Sequence, residues 1–166
     1  EFRRVLFRSL LSLLNDILDL SKIEAGRMLL EKIPVDARAV AGDCIRSVSA
    51  QARSKGIDLK LEVAPDIPAR MLGDPLRLRQ ILYNLLSNAV KFTECGSVQL
   101  RVFLKKASVP GQGMAVYEVI DTGMGIPADK LATIFEEFTQ VDGSISRKFG
   151  GTGLGLAITQ IGRAHV

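Results

Sequence analysis

The apolar pattern of this chain predicts an α/β protein, an α+β two-layer sandwich with a bundle-type helix at its N-terminal side. Three observations carry that reading. Residues 37–55 and 75–92 repeat apolar side chains every three or four positions, as amphipathic helices do. Residues 57–63 and 98–104 alternate apolar and polar side chains, as half-buried strands do, and 115–120 reads as a further strand. Leu10, Leu13, Ile17 and Leu20 lie beside a second stripe of Leu11, Leu14 and Leu18, a wide apolar face suited to a helical bundle or a dimer seam.

The elements follow in order. Residues 21–26 close the first helix in polar side chains. Asp36 is an N-cap for the second helix, whose apolar face is Ala37, Val40, Ala41, Cys44, Ile45, Val48 and Ala52, and Gly56 stops it. The strand Ile57, Leu59, Leu61, Val63 ends at Pro65 and Pro68. Asp74-Pro75 pairs an N-cap with proline at the first helical position. The third helix then faces Leu78, Ile81, Leu82, Leu85, Ala89 and Phe92 inward. Val98, Leu100, Val102 and Leu104 form a strand, and Pro110-Gly-Gln-Gly113 turns the chain into the next, Ala115 to Ile120. From Asp121 to Gly155 the chain is glycine-rich and irregular, a length that usually serves function. Another helix begins at Leu154.

The chain has 166 residues, 47% hydrophobic and 24% charged, which excludes collagen, bulk disorder and a disulfide scaffold. No run of about 18 apolar residues marks a membrane span. Cys44 and Cys95 form no C-x-x-C, so a reducing compartment with bystander thiols is expected. The formal charge of +4 would suggest a nucleic-acid partner. Much of it lies in residues 1–9 and 161–166. One DNA sequence read in opposite senses can encode both ends, and it resembles a sequencing-library adapter. Both ends are therefore read as scars and set aside. Without Glu1, Arg3, Arg4, Arg8 and Arg163 the charges nearly balance, and nucleic-acid binding loses its support. The single His, His165, falls in the set-aside tail.

Three groups of residues carry chemistry. Asn84, Asn88 and Lys91 stand at i, i+4 and i+7 of the third helix, so one face offers two carboxamides and a cation. Carboxamide oxygens suit Mg2+, which also takes phosphate oxygens, and lysine neutralises phosphate. Taken alone, the same face reads more readily as a solvated one. Asp121-Thr-Gly-Met-Gly125 follows a strand. Its carboxylate can accept from the amino group of adenine, and its glycines admit a flat base. Alone, it is equally a turn. Gly150-Gly-Thr-Gly-Leu-Gly155 opens a helix with exposed N–H groups that favour anions. It lacks the Gly-Lys-Ser/Thr of a P-loop and the preceding strand of a dinucleotide fingerprint.

In order and spacing these groups resemble the ATP-binding catalytic domain of sensor histidine kinases. Residues 74–93 look like the N box, 121–125 like the G1 box, Ile134-Phe-Glu-Glu-Phe138 like the F box and 151–156 like the G2 box. Residues 10–32, with Asn15-Asp-Ile-Leu-Asp-Leu-Ser-Lys-Ile-Glu-Ala-Gly26, look like the end of the second helix of the dimerisation and phosphotransfer hairpin. The resemblance implies a histidine-kinase/GHKL-type ATP-binding fold and the cofactors ATP and Mg2+. It implies Asn88 as metal ligand and Asn84 and Lys91 near metal and phosphates. Asp121 would read adenine, with Gly123 and Gly125 lining the base pocket. Gly151, Thr152, Gly153, Leu154 and Gly155 would form the phosphate-covering loop. Arg147 and Lys148 are placed to reach phosphates. Ile134, Phe135 and Phe138 anchor a lid or pack in the core.

The implied organisation is 1–9 scar, 10–32 hairpin helix, 33–160 catalytic domain cut short at its C-terminal side, and 161–166 scar. No catalytic residue is assigned, because the family's phosphoacceptor His belongs to a helix upstream of Leu10. The strands after the G2 box are missing too, so the sheet should have fewer strands than the family's. The implied partners are a response-regulator receiver domain and a second copy joined through the hairpin in the parent protein, with no nucleic acid. The implied location is cytoplasmic, with or without an inner-membrane anchor in the parent. Gyrase-, chaperone- and mismatch-repair-type ATPases share the nucleotide fold but carry a Glu base where this chain has Asn84. A binding module without catalysis is a further alternative.

Overall fold

In the computed structural model, which describes residues 14–19, 21–23, 25–106 and 113–128, two aspartates start the two long helices. The Ala39 N–H donates to Asp36 Oδ1 (2.9 Å), capping α2 (Ala37–Ser54). The N–H groups of Leu76 and Arg77 donate to Asp74 Oδ1 (3.0 and 3.1 Å), capping α3 (Pro75–Phe92) with Pro75 in its first turn. These bonds satisfy donors that a helix start leaves without partners. The remaining helical residues, 14–19 and 21–23, are α1.

Residues 31–125 form one compact unit. Its main sheet has the order β2 (Asp58–Val63), β4 (Ser97–Lys106), β5 (Gly113–Asp121). β2 runs parallel to β4, with Asp58 opposite Ser97 and Val63 opposite Val102. A parallel pair needs a crossover, and α3 lies in it. β5 runs antiparallel to β4, with Asp121 opposite Val98. Both helices lie on one face of this sheet, which gives the two expected layers. The core joins Val40, Cys44 and Val48 of α2, Leu82, Leu86 and Val90 of α3, and Val98, Leu100 and Val102 of β4. Across the other face, Arg101 reaches Glu62 and Glu118, each at 3.4 Å. Such exposed pairs contribute little to stability.

The structure departs from the sequence pattern in three places. A small antiparallel sheet pairs β1 (Ile33–Val35) with β3 (Met71–Gly73). Each strand has only three residues and β1 contains Pro34, so neither shows an alternation. Leu61 is 40% exposed because β2 is an edge strand among the described residues. On α3 the buried stripe is Leu82, Leu86, Ala89 and Val90, while Ile81, Leu85 and Phe92 are half-buried.

The described residues of the other unit are those of α1, 25–30 and 126–128. The Arg27 N–H donates to Lys22 O (2.8 Å) and the Gly26 N–H to Ile23 O (2.9 Å), with Gly26 left-handed at φ 65°. That is a glycine stop at a helix C-terminus. Leu14, Ile17 and Leu18 of the expected bundle face are exposed. Burial, and then the neighbouring Asp19, push the Asp16 carboxyl above its usual range.

Candidate functional site

The C-terminal half of α3 presents Asn84, Asn88 and Lys91 side by side, all half-buried, while Leu82, Leu86, Ala89 and Val90 fill the core. Burial pushes the Lys91 ammonium below the ordinary lysine range. Its Nζ lies 5.0 Å from the centre of the Phe92 ring, within the range of a cation–π contact. A cation partly stripped of water attracts an incoming anion more strongly than a solvated one.

β5 delivers Asp121 to the neighbourhood of this helix end. The Gly123 N–H donates to Asp121 Oδ1 (2.9 Å), an Asx-type turn that orients the carboxylate through one oxygen. The second oxygen, Oδ2, takes no part in that bond. Asp121 itself is exposed. Gly123 lies directly against the last turn of α3: a Cβ there would stand 2.7 Å from Phe92 O and 2.8 Å from Asp121 Oδ1. Only a glycine allows this approach. Gly125 is needed for a different reason. A Cβ would meet nothing within 4 Å, but its φ of 71° is left-handed.

Three further residues, Gly96, Thr122 and Lys55, hold this arrangement, and the sequence reading gave none of them a role. Gly96 has φ 112°, and a Cβ on it would run into Thr122 Oγ1. Thr122 in turn fastens the turn to β4: its N–H donates to Ser97 O (3.1 Å), and its Oγ1 accepts from the Ser97 N–H (3.0 Å). Lys55, the C-cap of α2, donates from Nζ to the carbonyls of Val90 (2.7 Å), Lys91 (2.7 Å) and Thr93 (3.1 Å). A glycine in a loop after Cys95 and a lysine before Gly56 look like ordinary turn chemistry in sequence. Only their long-range neighbours mark them.

The structure thus brings Asn84, Asn88 and Lys91 on one helix end together with Asp121, Gly123 and Gly125 on the turn packed against it. Arg147, Lys148, Gly151, Thr152, Gly153, Leu154, Gly155 and the Ile134–Phe138 segment lie outside the described residues. Among the described residues, no group of three or more His, Cys, Asp or Glu could hold a metal. A carboxamide such as Asn88 is a different kind of ligand, one that shares Mg2+ with phosphate and water. The missing Cβ of Gly123 leaves room for Phe92 O and Asp121 Oδ1 and not for a ligand, so what Gly123 contributes is the close seat of the Asp121 turn on α3.

Residues 73–165 match the family described as histidine kinase-, DNA gyrase B- and HSP90-like ATPase. The chain belongs to this family. Within it, the similarity is to sensor kinases. The signal transduction histidine-protein kinase BarA of Escherichia coli K12 is 43% identical over 152 residues, which cover 92% of this chain and 16% of BarA. The sensor protein GacS of Pseudomonas syringae pv. syringae is 43% identical over 152 residues, 92% of this chain and 17% of GacS. Full-length ShkA, solved in complex with AMPPNP, superposes with a TM-score of 0.78 at 39% identity, covering 94% of this chain and 31% of ShkA. Within the family the chain is thus similar to the ATP-binding catalytic region of sensor histidine kinases, with the same α+β fold, and it spans less than a fifth of the length of BarA and GacS. No helix among the described residues is long and apolar enough to cross a membrane.

Proposed function

We propose that this region binds Mg–ATP and, in the intact protein, supplies the γ-phosphoryl group to a histidine for relay to an aspartate of a response-regulator receiver domain. The observation that carries the reading is the seating of Gly123 on Phe92 O. It brings the turn that carries Asp121 against the last turn of α3, the helix that also carries Asn84, Asn88 and Lys91, which supports reading a base contact and a phosphate-metal face as one site. Asn88 is the metal ligand, Asn84 and Lys91 flank metal and phosphates, and Asp121 accepts from the adenine amino group over Gly123 and Gly125. On the family resemblance alone, the proposal also assigns Arg147, Lys148, Gly151, Thr152, Gly153, Leu154 and Gly155 to contacts with phosphate. Bound Mg2+ supplies charge neutralisation to the phosphates. The protein's own residues contribute positioning, which is the main resource of phosphoryl-transfer catalysis.

The boundaries 10–32 and 33–160 belong to the same proposal, as do assembly of the parent as a dimer through its helix hairpin and a cytoplasmic location for this region. The same proposal holds that these 166 residues alone do not autophosphorylate, since the one histidine among them, His165, falls in the adapter-like tail and not in the family's acceptor helix. The test of the nucleotide site is discrimination at Asp121. Guanine presents a carbonyl where adenine presents an amine, so GTP should bind more weakly than ATP by about 1–3 kcal/mol. Asp121→Asn, whose side chain can donate as well as accept, should narrow that gap. Equal affinity of the unaltered chain for ATP and GTP overturns the assignment.

A further inference from the structure

We propose that Lys55 is a positioning residue for the nucleotide site, its ammonium holding the last turn of α3 where Lys91 and the Phe92–Gly123 contact meet a nucleotide. The inference rests on the nucleotide reading above and deepens it.

The geometry is specific to the last turn. An ammonium has three donors, and Lys55 Nζ lies within hydrogen-bond distance of three carbonyls, those of Val90, Lys91 and Thr93. The carbonyl between them, that of Phe92, is the one against Gly123. The end of α3 is therefore held from one side by a cation and touched on the other by the turn carrying Asp121. Helix ends otherwise fray, because their last carbonyls lack intrahelical donors.

Lys55 is itself braced. Its N–H donates to Ala52 O (3.2 Å), the Gly56 N–H to Arg53 O (3.1 Å) and the Ile57 N–H to Ala52 O (2.9 Å). The next residue, Asp58, donates to Gly96 O (2.9 Å), and Ser97 is tied to Thr122. The end of α2, the end of α3, the start of β4 and the Asp121–Gly123 turn are thus linked by hydrogen bonds, and the packing of Gly123 against Phe92 O closes the circuit. Lys55 is the member that reaches α3. Removing its charge frees the turn that carries Lys91 and loosens the floor under Gly123, while Lys55 itself touches no ligand.

The test uses the 166-residue chain, unaltered and as Lys55→Gln and Lys55→Arg. Far-UV circular dichroism establishes folding, calorimetric titration gives the Kd for Mg–ADP, and the Gly123 amide is followed by 1H–15N NMR without nucleotide. Lys55→Gln should stay folded, weaken Mg–ADP about tenfold, the loss expected for hydrogen bonds to a charged donor, and shift the Gly123 amide. Lys55→Arg should restore Kd to within about threefold. Unchanged Kd with an unshifted Gly123 amide in Lys55→Gln overturns the proposal. So does failure of Lys55→Gln to fold, which makes Lys55 a folding element only. An unaltered chain that binds no ADP overturns the nucleotide reading instead, and the Gly123 shift still reports on the clamp.

Discussion

Replacing Gly123 by alanine probes the one contact on which the site depends. The added Cβ would stand 2.7 Å from Phe92 O and 2.8 Å from Asp121 Oδ1. Carbon–oxygen contacts become comfortable near about 3.3 Å, so the turn must retreat from α3 by roughly 0.6 Å. Phe92 O cannot yield by rotating, because it is backbone in a turn whose neighbouring carbonyls are held by Lys55. Overpacking of this kind costs about 1–3 kcal/mol. The retreat also stretches the Gly123 N–H bond to Asp121, now 2.9 Å, and so turns the carboxylate. Gly123→Ala should lower Tm by about 3–9 °C and weaken ADP binding about tenfold. Gly125→Ala is the comparison. Its Cβ meets nothing, so only the left-handed backbone is strained, at about 1–2 kcal/mol, with a smaller effect on affinity. Calorimetric titration and thermal melts on both variants decide the matter. Unaltered ADP affinity in folded Gly123→Ala would refute the claim that the turn's seat on α3 shapes the site.

Two other outcomes follow from α3. Asn88→Ala should abolish the Mg2+ dependence of ATP binding while leaving the fold intact, because the side chain is half-buried and outside the core stripe; titration of ATP with and without Mg2+ checks it. Lys91, its ammonium disfavoured by burial, loses its proton below the ordinary value of 10.5. ADP affinity should therefore fall as pH rises toward 10.5, and Lys91→Arg should hold it constant over that window. In the same window the unfolded chain binds the extra proton, so Lys91 makes the ligand-free fold more stable as pH rises.

The helices were legible because their signals are local. Asp36 and Asp74 cap as their positions suggest, and the apolar face read for α2 is the buried one, with Ile45 at its half-buried margin. The α3 stripe was less so. Ile81, Leu82, Leu85 and Leu86 are all apolar, and which pair turns inward depends on the sheet beneath, not on α3 itself. β1 and β3 were illegible because three residues cannot display a period. The site divides in the same way. Asn84, Asn88 and Lys91 follow from helix spacing, and the Asp121 turn from its glycines. Lys55, Gly96 and Thr122 act across 25 or more residues of sequence, through bonds that no spacing rule contains.

The clamp also resolves an electrostatic difficulty in the proposed site. Anions normally seek a helix N-terminus, where N–H groups and the macrodipole are favourable. Here Asn84, Asn88 and Lys91 occupy the C-terminal half of α3, where exposed carbonyls would repel phosphate. Two features remove that repulsion. Lys55 engages the carbonyls of Val90, Lys91 and Thr93, and Gly123 closes over that of Phe92. Lys91 then adds a partly desolvated cation on the face the phosphates would use. The proposed adenine side comes from β5, where Asp121 would take a donor and not an anion. A helix end unsuited to phosphate becomes usable only when α2 and β5 both cover it. Loss of either cover, by Lys55→Gln or Gly123→Ala, should therefore weaken a triphosphate more than it weakens adenosine.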